Sequence, residues 1–139
     1  MNAYITNMVV DSVAALRQLK CLDLSKNKFH PETLNHLLAK MPSLKKIQTL
    51  VLAQSNLTDE VCHSLVMTLT EMPKLQAFNI SGNTGLTSTT LVKVLQALKG
   101  MSSLMELDLS KLQFGNSEEC FKELAGLLLS GKNLRTLNI

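Results

Sequence analysis

The chain has few cysteines, little net charge and no long apolar run, and each shortage closes off a class of protein. Its 3 cysteines, Cys21, Cys62 and Cys120, are odd in number and scattered rather than clustered. A secreted disulfide framework needs an even, closely spaced set, so a reducing, intracellular location is the simpler expectation. Against 11 Asp and Glu stand 14 Lys and Arg, a formal charge of +3 with the two signs interspersed. That excess is too weak to argue for nucleic acid or an anionic membrane as partner. No run approaches the roughly 18 apolar residues of a membrane span. The opening MNAYITNMVVDSVAALRQL has no basic residue before Arg17 and is broken at Asn7, Asp11 and Ser12, unlike a secretory signal. The sequons at Asn56 and Asn79 are then accidents of composition.

What the chain has in quantity is leucine on a period. In LKCLDLSKNKF, Leu19, Leu22, Leu24, Asn27 and Phe29 fit the pattern LxxLxLxxNxL. Near copies begin at Ile47 (with Leu50, Leu52, Leu57), at Leu75 (with Phe78, Ile80, Asn83, Leu86) and at Leu104 (with Leu107, Leu109, Phe114). A fifth, Leu134, Leu137 and Ile139, breaks off. The starts lie 28, 28, 29 and 30 residues apart, the signature of a solenoid.

The intervening segments repeat as well. Apolar residues recur three, six and nine or ten places before each start: Leu37, Leu38, Met41 and Leu44; Leu65, Leu69 and Met72; Val94, Leu95, Leu98 and Met101; Leu124 and Leu128, with Gly131 at the nearest place. Spacings of three and four put them on one helical face, so each period predicts a strand followed by a helix. Pro31-Glu32 suits a first helical turn, and Thr58 or Asp59, and Ser117, are expected N-caps. Met41-Pro42, Met72-Pro73, Lys99-Gly100 and Ser130-Gly131-Lys132 mark helix ends. Before Leu19 the same offsets fall on Leu16, Val13, Val10 and Val9. The expectation is one domain over 1–139, with a helical half-repeat at 1–18, repeats starting near 19, 47, 75 and 104, and a truncated strand at 134–139. Neither end shows a polar capping repeat, so an excerpt of a longer array is expected, or self-association through the uncapped ends.

These motifs resemble the leucine-rich repeat family in its ribonuclease-inhibitor-like subclass, over essentially the whole chain. The resemblance implies an α/β fold: a right-handed curved solenoid with parallel strands on the concave face and helices on the convex one. It places Leu22, Leu24, Leu50, Leu52, Phe78, Ile80, Leu107 and Leu109 in the core. It also implies an Asn ladder through the turns, met by Asn27 and Asn83, substituted at Ser55 and absent at Leu112. Thr84-Gly85 adds a residue expected to bulge the third turn. Family members work mainly as binding frameworks without enzymatic activity or cofactor, which implies a protein partner. The first reading is the sensing or autoinhibitory part of an intracellular receptor, as in the nucleotide-binding receptors of innate immunity. The alternative is a cytoskeletal or GTPase-regulating scaffold.

Strand alternation assigns Asp23, Ser25, Thr49, Val51, Ala53, Asn79, Ser81, Glu106, Asp108 and Ser110 to the face opposite the core leucines, with Cys21, Ala77, Thr136 and Asn138 beside them. This is the expected partner surface, small-residued and acid-flanked, without the aromatic or Arg anchors typical of hot spots. Catalytic candidates are weak. Adjacent Cys62 and His63 diverge by about 100° on a helix. Glu32 and His36 could share a metal, but no third ligand is placed and a solvated helix face explains them. Cys21 and Cys120 read as small hydrophobes. Gly82-Asn83-Thr84-Gly85 lacks the Lys and spacing of a phosphate loop.

Overall fold

Strand and helix alternate along the chain as the leucine period requires. The structure, a computed structural model, describes residues 3–139; Met1 and Asn2, the start of the expected helical half-repeat, lie outside the described residues. In order the elements are α1 (Ala3–Ala14), β1 (Cys21–Asp23), α2 (Pro31–Lys40), β2 (Thr49–Val51), α3 (Cys62–Thr70), β3 (Ala77–Asn79), α4 (Ser88–Lys99), β4 (Glu106–Asp108), α5 (Glu118–Ser130) and β5 (Thr136–Asn138). Single 3₁₀ turns at Met41–Ser43 and Asp59–Val61 follow α2 and precede α3. All five strands pair in parallel in chain order. Their register is that of the sequence repeat, Leu22, Leu50, Phe78, Leu107 and Leu137 lying side by side.

Each strand has one inward residue between two that face away. Leu50, Phe78 and Leu107 are buried there, and Leu52, Ile80 and Leu109 follow them into the core. From the other side come Leu34, Leu37 and Leu38 of α2, Leu65 and Leu69 of α3, Leu91, Leu95 and Leu98 of α4, and Leu124 and Leu127 of α5. At about 1.5–3 kcal/mol for each fully buried aliphatic side chain, this layer drives folding. Leu24 is only partly buried, because β1 has a neighbour on one side alone.

Three expected core positions face outward. Val9 and Leu16 are 54% and 53% exposed, while Val10 is buried. Packed by α2 on one flank only, α1 presents a narrower inward stripe than the repeat offsets imply. Leu128 is also largely exposed, and Leu127 takes its place. The last period is the longest, and its extra residue falls between helix and strand, which moves the inward stripe back by one position.

The repeats are joined in their turns. Buried Asn83 donates from Nδ2 to the carbonyls of Ile80 (2.7 Å) and, in the preceding repeat, Leu52 (2.8 Å). Its Oδ1 accepts the amides of Ser55 (2.9 Å) and Leu57 (3.0 Å). Ser55 in turn donates to Leu24 O of the first repeat (2.9 Å), whereas exposed Asn27 bonds only within its own turn. Leu112 is an apolar plug at the same register. Further side chains reach back one repeat to a carbonyl: Asn56 to Phe29, Thr68 to Leu38, Cys120 to Ser88 and Asn133 to Ser102. The added Thr84-Gly85 is absorbed by close contact: Gly85 bridges to Thr58, and a Cβ on it would lie 2.8 Å from Thr58 Cγ2 and 2.9 Å from Leu57 O.

Helix starts follow the expected chemistry in part. α2 begins at Pro31, and Ser117 Oγ accepts Cys120 N at the start of α5. Thr58 makes no capping bond. Asp59 does cap a helix, but the next one: its carboxylate accepts Thr87 N, Thr87 Oγ1 and Thr90 Oγ1 at the start of α4, at 2.9, 2.7 and 2.6 Å. The 28-residue period sets Asp59 beside that helix start, a relation that reading one repeat at a time hides.

Candidate functional site

The face of the sheet opposite the helices is uncovered. Pairing aligns Cys21, Thr49, Ala77, Glu106 and Thr136 in one row and Asp23, Val51, Asn79, Asp108 and Asn138 in the next. Beyond the strand ends the ladder continues, with Lys26, Gln54 and Gly82 donating their amides to Ala53, Ser81 and Ser110. Six of the ten residues assigned to a partner surface, Asp23, Thr49, Val51, Asn79, Glu106 and Asp108, thus share one face, and Ser25, Ala53, Ser81 and Ser110 follow just past the strand ends. Thr49, Val51, Asn79, Glu106 and Asp108 line a shallow depression of about 250 Å³ with Ala77, Thr136 and Asn138.

Much of the polar chemistry on this face is already committed. Asp23 Oδ1 accepts both the amide and the hydroxyl of Ser25, at 2.9 and 2.6 Å. Asp108 and Ser110 repeat this arrangement at 2.9 and 2.7 Å, and Asn79 accepts the amide of Ser81. These are Asx turns that bend the chain out of β1, β3 and β4. The Ser25 hydroxyl and amide hold the Asp23 carboxyl below its ordinary value against a smaller desolvation effect, with a further contribution from Lys26. Asn79 Nδ2 also reaches Asp108 Oδ2 in the next strand at 3.3 Å. The second repeat, with Val51 and Ala53 at these places, has an apolar turn instead. Glu106 is exposed, and among the described residues it has no hydrogen-bonding or ionic partner on the face.

The catalytic candidates do not assemble. Cys62 is half-buried and His63 exposed. His36 meets not Glu32 but Asp11 of α1, Nε2 to Oδ1 at 3.0 Å, with Lys40 Nζ 3.7 Å from the same oxygen. Cys120 is buried, but Cys21, expected to be a small hydrophobe, is exposed at the sheet edge. Among the described residues no group of three His, Cys, Asp or Glu side chains converges, and no helix is long and apolar enough to cross a membrane.

Sequence reasoning missed the next row. Lys26, Gln54, Gly82 and Lys111 follow the strand ends at the repeat period and share a left-handed backbone, with φ of +61°, +52°, +68° and +58°. The signal was the glycine at one of four equivalent positions, since only glycine adopts that conformation without strain.

The sequence matches no protein-family model and no curated protein. Solved structures do resemble it. The C-terminal domain of tropomodulin from Caenorhabditis elegans superposes with a TM-score of 0.80 at 17% identity, covering 100% of this chain and 83% of that one. Actin-Binding Site 2 of leiomodin-1 gives 0.75 at 16% identity, covering 96% and 76%. An internalin of Listeria monocytogenes gives 0.56 at 17% identity, covering 91% of this chain and 36% of that one. At these identities the likeness is one of architecture, and the architecture is a leucine-rich-repeat-like α/β fold built on a five-stranded parallel sheet.

Proposed function

We propose that the chain is a non-enzymatic protein-interaction module of the actin cytoskeleton, engaging its partner on the open face of the sheet. The observation that carries this is the likeness, over 96% of the chain, to a leiomodin-1 structure described as an actin-binding site. It favours the scaffold reading over the receptor reading, which has only the ribonuclease-inhibitor-like repeat length of 28 to 30 residues in its support. An intracellular location and a curved sheet, concave on its open side, belong to the same proposal. On that face Glu106 and Thr49 are among the side chains with no hydrogen-bond partner among the described residues, while Asp23, Asn79 and Asp108 hold turns. Co-sedimentation with actin filaments and fluorescence binding to monomeric actin test it. Binding to either form is expected, weakened at least about tenfold by T49K/E106K, because a lysine pair buried in an interface lacks partners. Absence of binding to both forms would reject the cytoskeletal reading; binding that ignores T49K/E106K would move the contact off the sheet face.

A further inference from the structure

A second surface lies where the strands end, in the turns that lead to the helices. The turns of the repeats enclose a depression of about 490 Å³ whose lining includes Lys26, Lys28 and Lys111, with Gln54, Asn56 and Gly82 between them and no carboxylate. The three ammonium groups form no ion pair among the described residues. The opposite edge differs: there Lys45 and Lys74 line a depression that also contains Glu71.

The backbone makes the choice of lysine informative. Lys26 and Lys111 occupy the left-handed register that Gly82 fills in the third repeat. That conformation disfavours L side chains, and among the described residues no side-chain hydrogen bond repays a lysine there. Folding alone therefore favours glycine or asparagine at these two places, not a cation.

We infer that this edge binds an acidic, extended peptide segment of a partner protein. Lys26 and Lys111 stand three strands apart, about 14 Å at the usual strand separation. In an extended peptide four residues span about 13 Å, and side chains four apart point the same way. The matching segment carries Asp or Glu at i and i+4, with Lys28 reinforcing the first contact and uncharged Gln54 and Gly82 facing the residues between. Nucleic acid and anionic bilayers fit poorly. Asp23 and Asp108 sit three residues before Lys26 and Lys111 on the adjoining face, so a polyanion too broad for the depression meets carboxylates. This edge is distinct from the sheet face, and failure at either leaves the other standing.

The test is fluorescence anisotropy of the purified chain with a labelled oligo-glutamate of about ten residues. Binding is expected to weaken as salt rises toward a Debye length of about 8 Å. K26Q/K28Q/K111Q should weaken it roughly three- to hundredfold, since three exposed ion pairs are lost. K45Q/K46Q/K74Q, which removes the same charge from the other edge, should leave it unchanged. Lys111→Gly relaxes the backbone, so it should keep the circular dichroism of the parent, match or exceed its melting temperature, and still bind more weakly. No binding at low salt would overturn the inference. So would equal losses in the two triple variants, or binding to single-stranded DNA or anionic vesicles as tight as to oligo-glutamate.

Discussion

Replacing Asn83 with alanine tests the reasoning about the turns most directly. The side chain is 2% exposed and occupied on both sides, donating to Leu52 O and Ile80 O and accepting from Ser55 N and Leu57 N. Alanine strands two amides in buried residues, each at about 1–3 kcal/mol, while the carbonyls keep a second lone pair for other contacts. Partial entry of water into the space left offsets some of this, giving a net loss of about 2–4 kcal/mol. For a domain of this size that is a fall in melting temperature on the order of 10 °C. Asn27→Ala is the control, because the same residue type in the first repeat is exposed and bonds only to Leu24 O and Ser25 O of its own turn. Water replaces those bonds, and the loss should stay below about 1 kcal/mol. Urea denaturation followed by circular dichroism measures both. If the two variants fall within about 1 kcal/mol of each other, cross-repeat hydrogen bonding by Asn83 is not what joins the repeats.

Asp59→Ala should cost about 1–2 kcal/mol by uncapping α4, a loss readable as faster amide exchange at Thr87, whose amide it accepts. Burial opposes the Asp59 charge, but hydrogen bonds from Thr90 and Thr87 outweigh it and lower the pKa, with Lys93 assisting. Its contribution is therefore present above the ordinary Asp value and lost as pH falls through the lowered one; acid titration of Asp59→Asn should lack that component. Gly85→Ala should destabilise by about 1–3 kcal/mol in thermal melts, since its Cβ would press on Thr58 and the Leu57 carbonyl. Leu50→Ala, at 0% exposure, should cost about 2–5 kcal/mol in the same denaturation assay. Leu129→Ser, at 86%, should stay within about 0.5 kcal/mol of the parent.

The strand phase was legible because burial alternates residue by residue: Leu22, Leu50, Phe78 and Leu107 could face only one way once the period was known. Helix phase was less so. Leu128 and Leu127 are both leucines, and one added residue in a connection decides between them. The positions of Val9 and Leu16 depended on how many neighbours α1 has, which no local pattern records. On the sheet face the alternation found the residues but not their duties. Asp23-Leu24-Ser25 and Asp108-Leu109-Ser110 look like two free polar side chains around a core leucine, and only three-dimensional distances reveal the Asx turns. Lys26 and Lys111 are far apart in sequence, and the shared register that unites them is visible only after the repeats are stacked.

The side-chain bonds made to a carbonyl of the preceding repeat share a direction. Ser55, Asn56, Thr68, Asn83, Cys120 and Asn133 each bring the donor, and the earlier repeat supplies a carbonyl. A nascent chain emerging from its N-terminus therefore presents ready acceptors to every new repeat. The growing edge carries donors as well: the amides of Leu24, Lys26, Ser55 and Leu57 find their acceptors, Val51 O, Ala53 O and Asn83 Oδ1, only in the repeat that follows. Each added repeat thus completes both the carbonyls and the amides left open by the one before it.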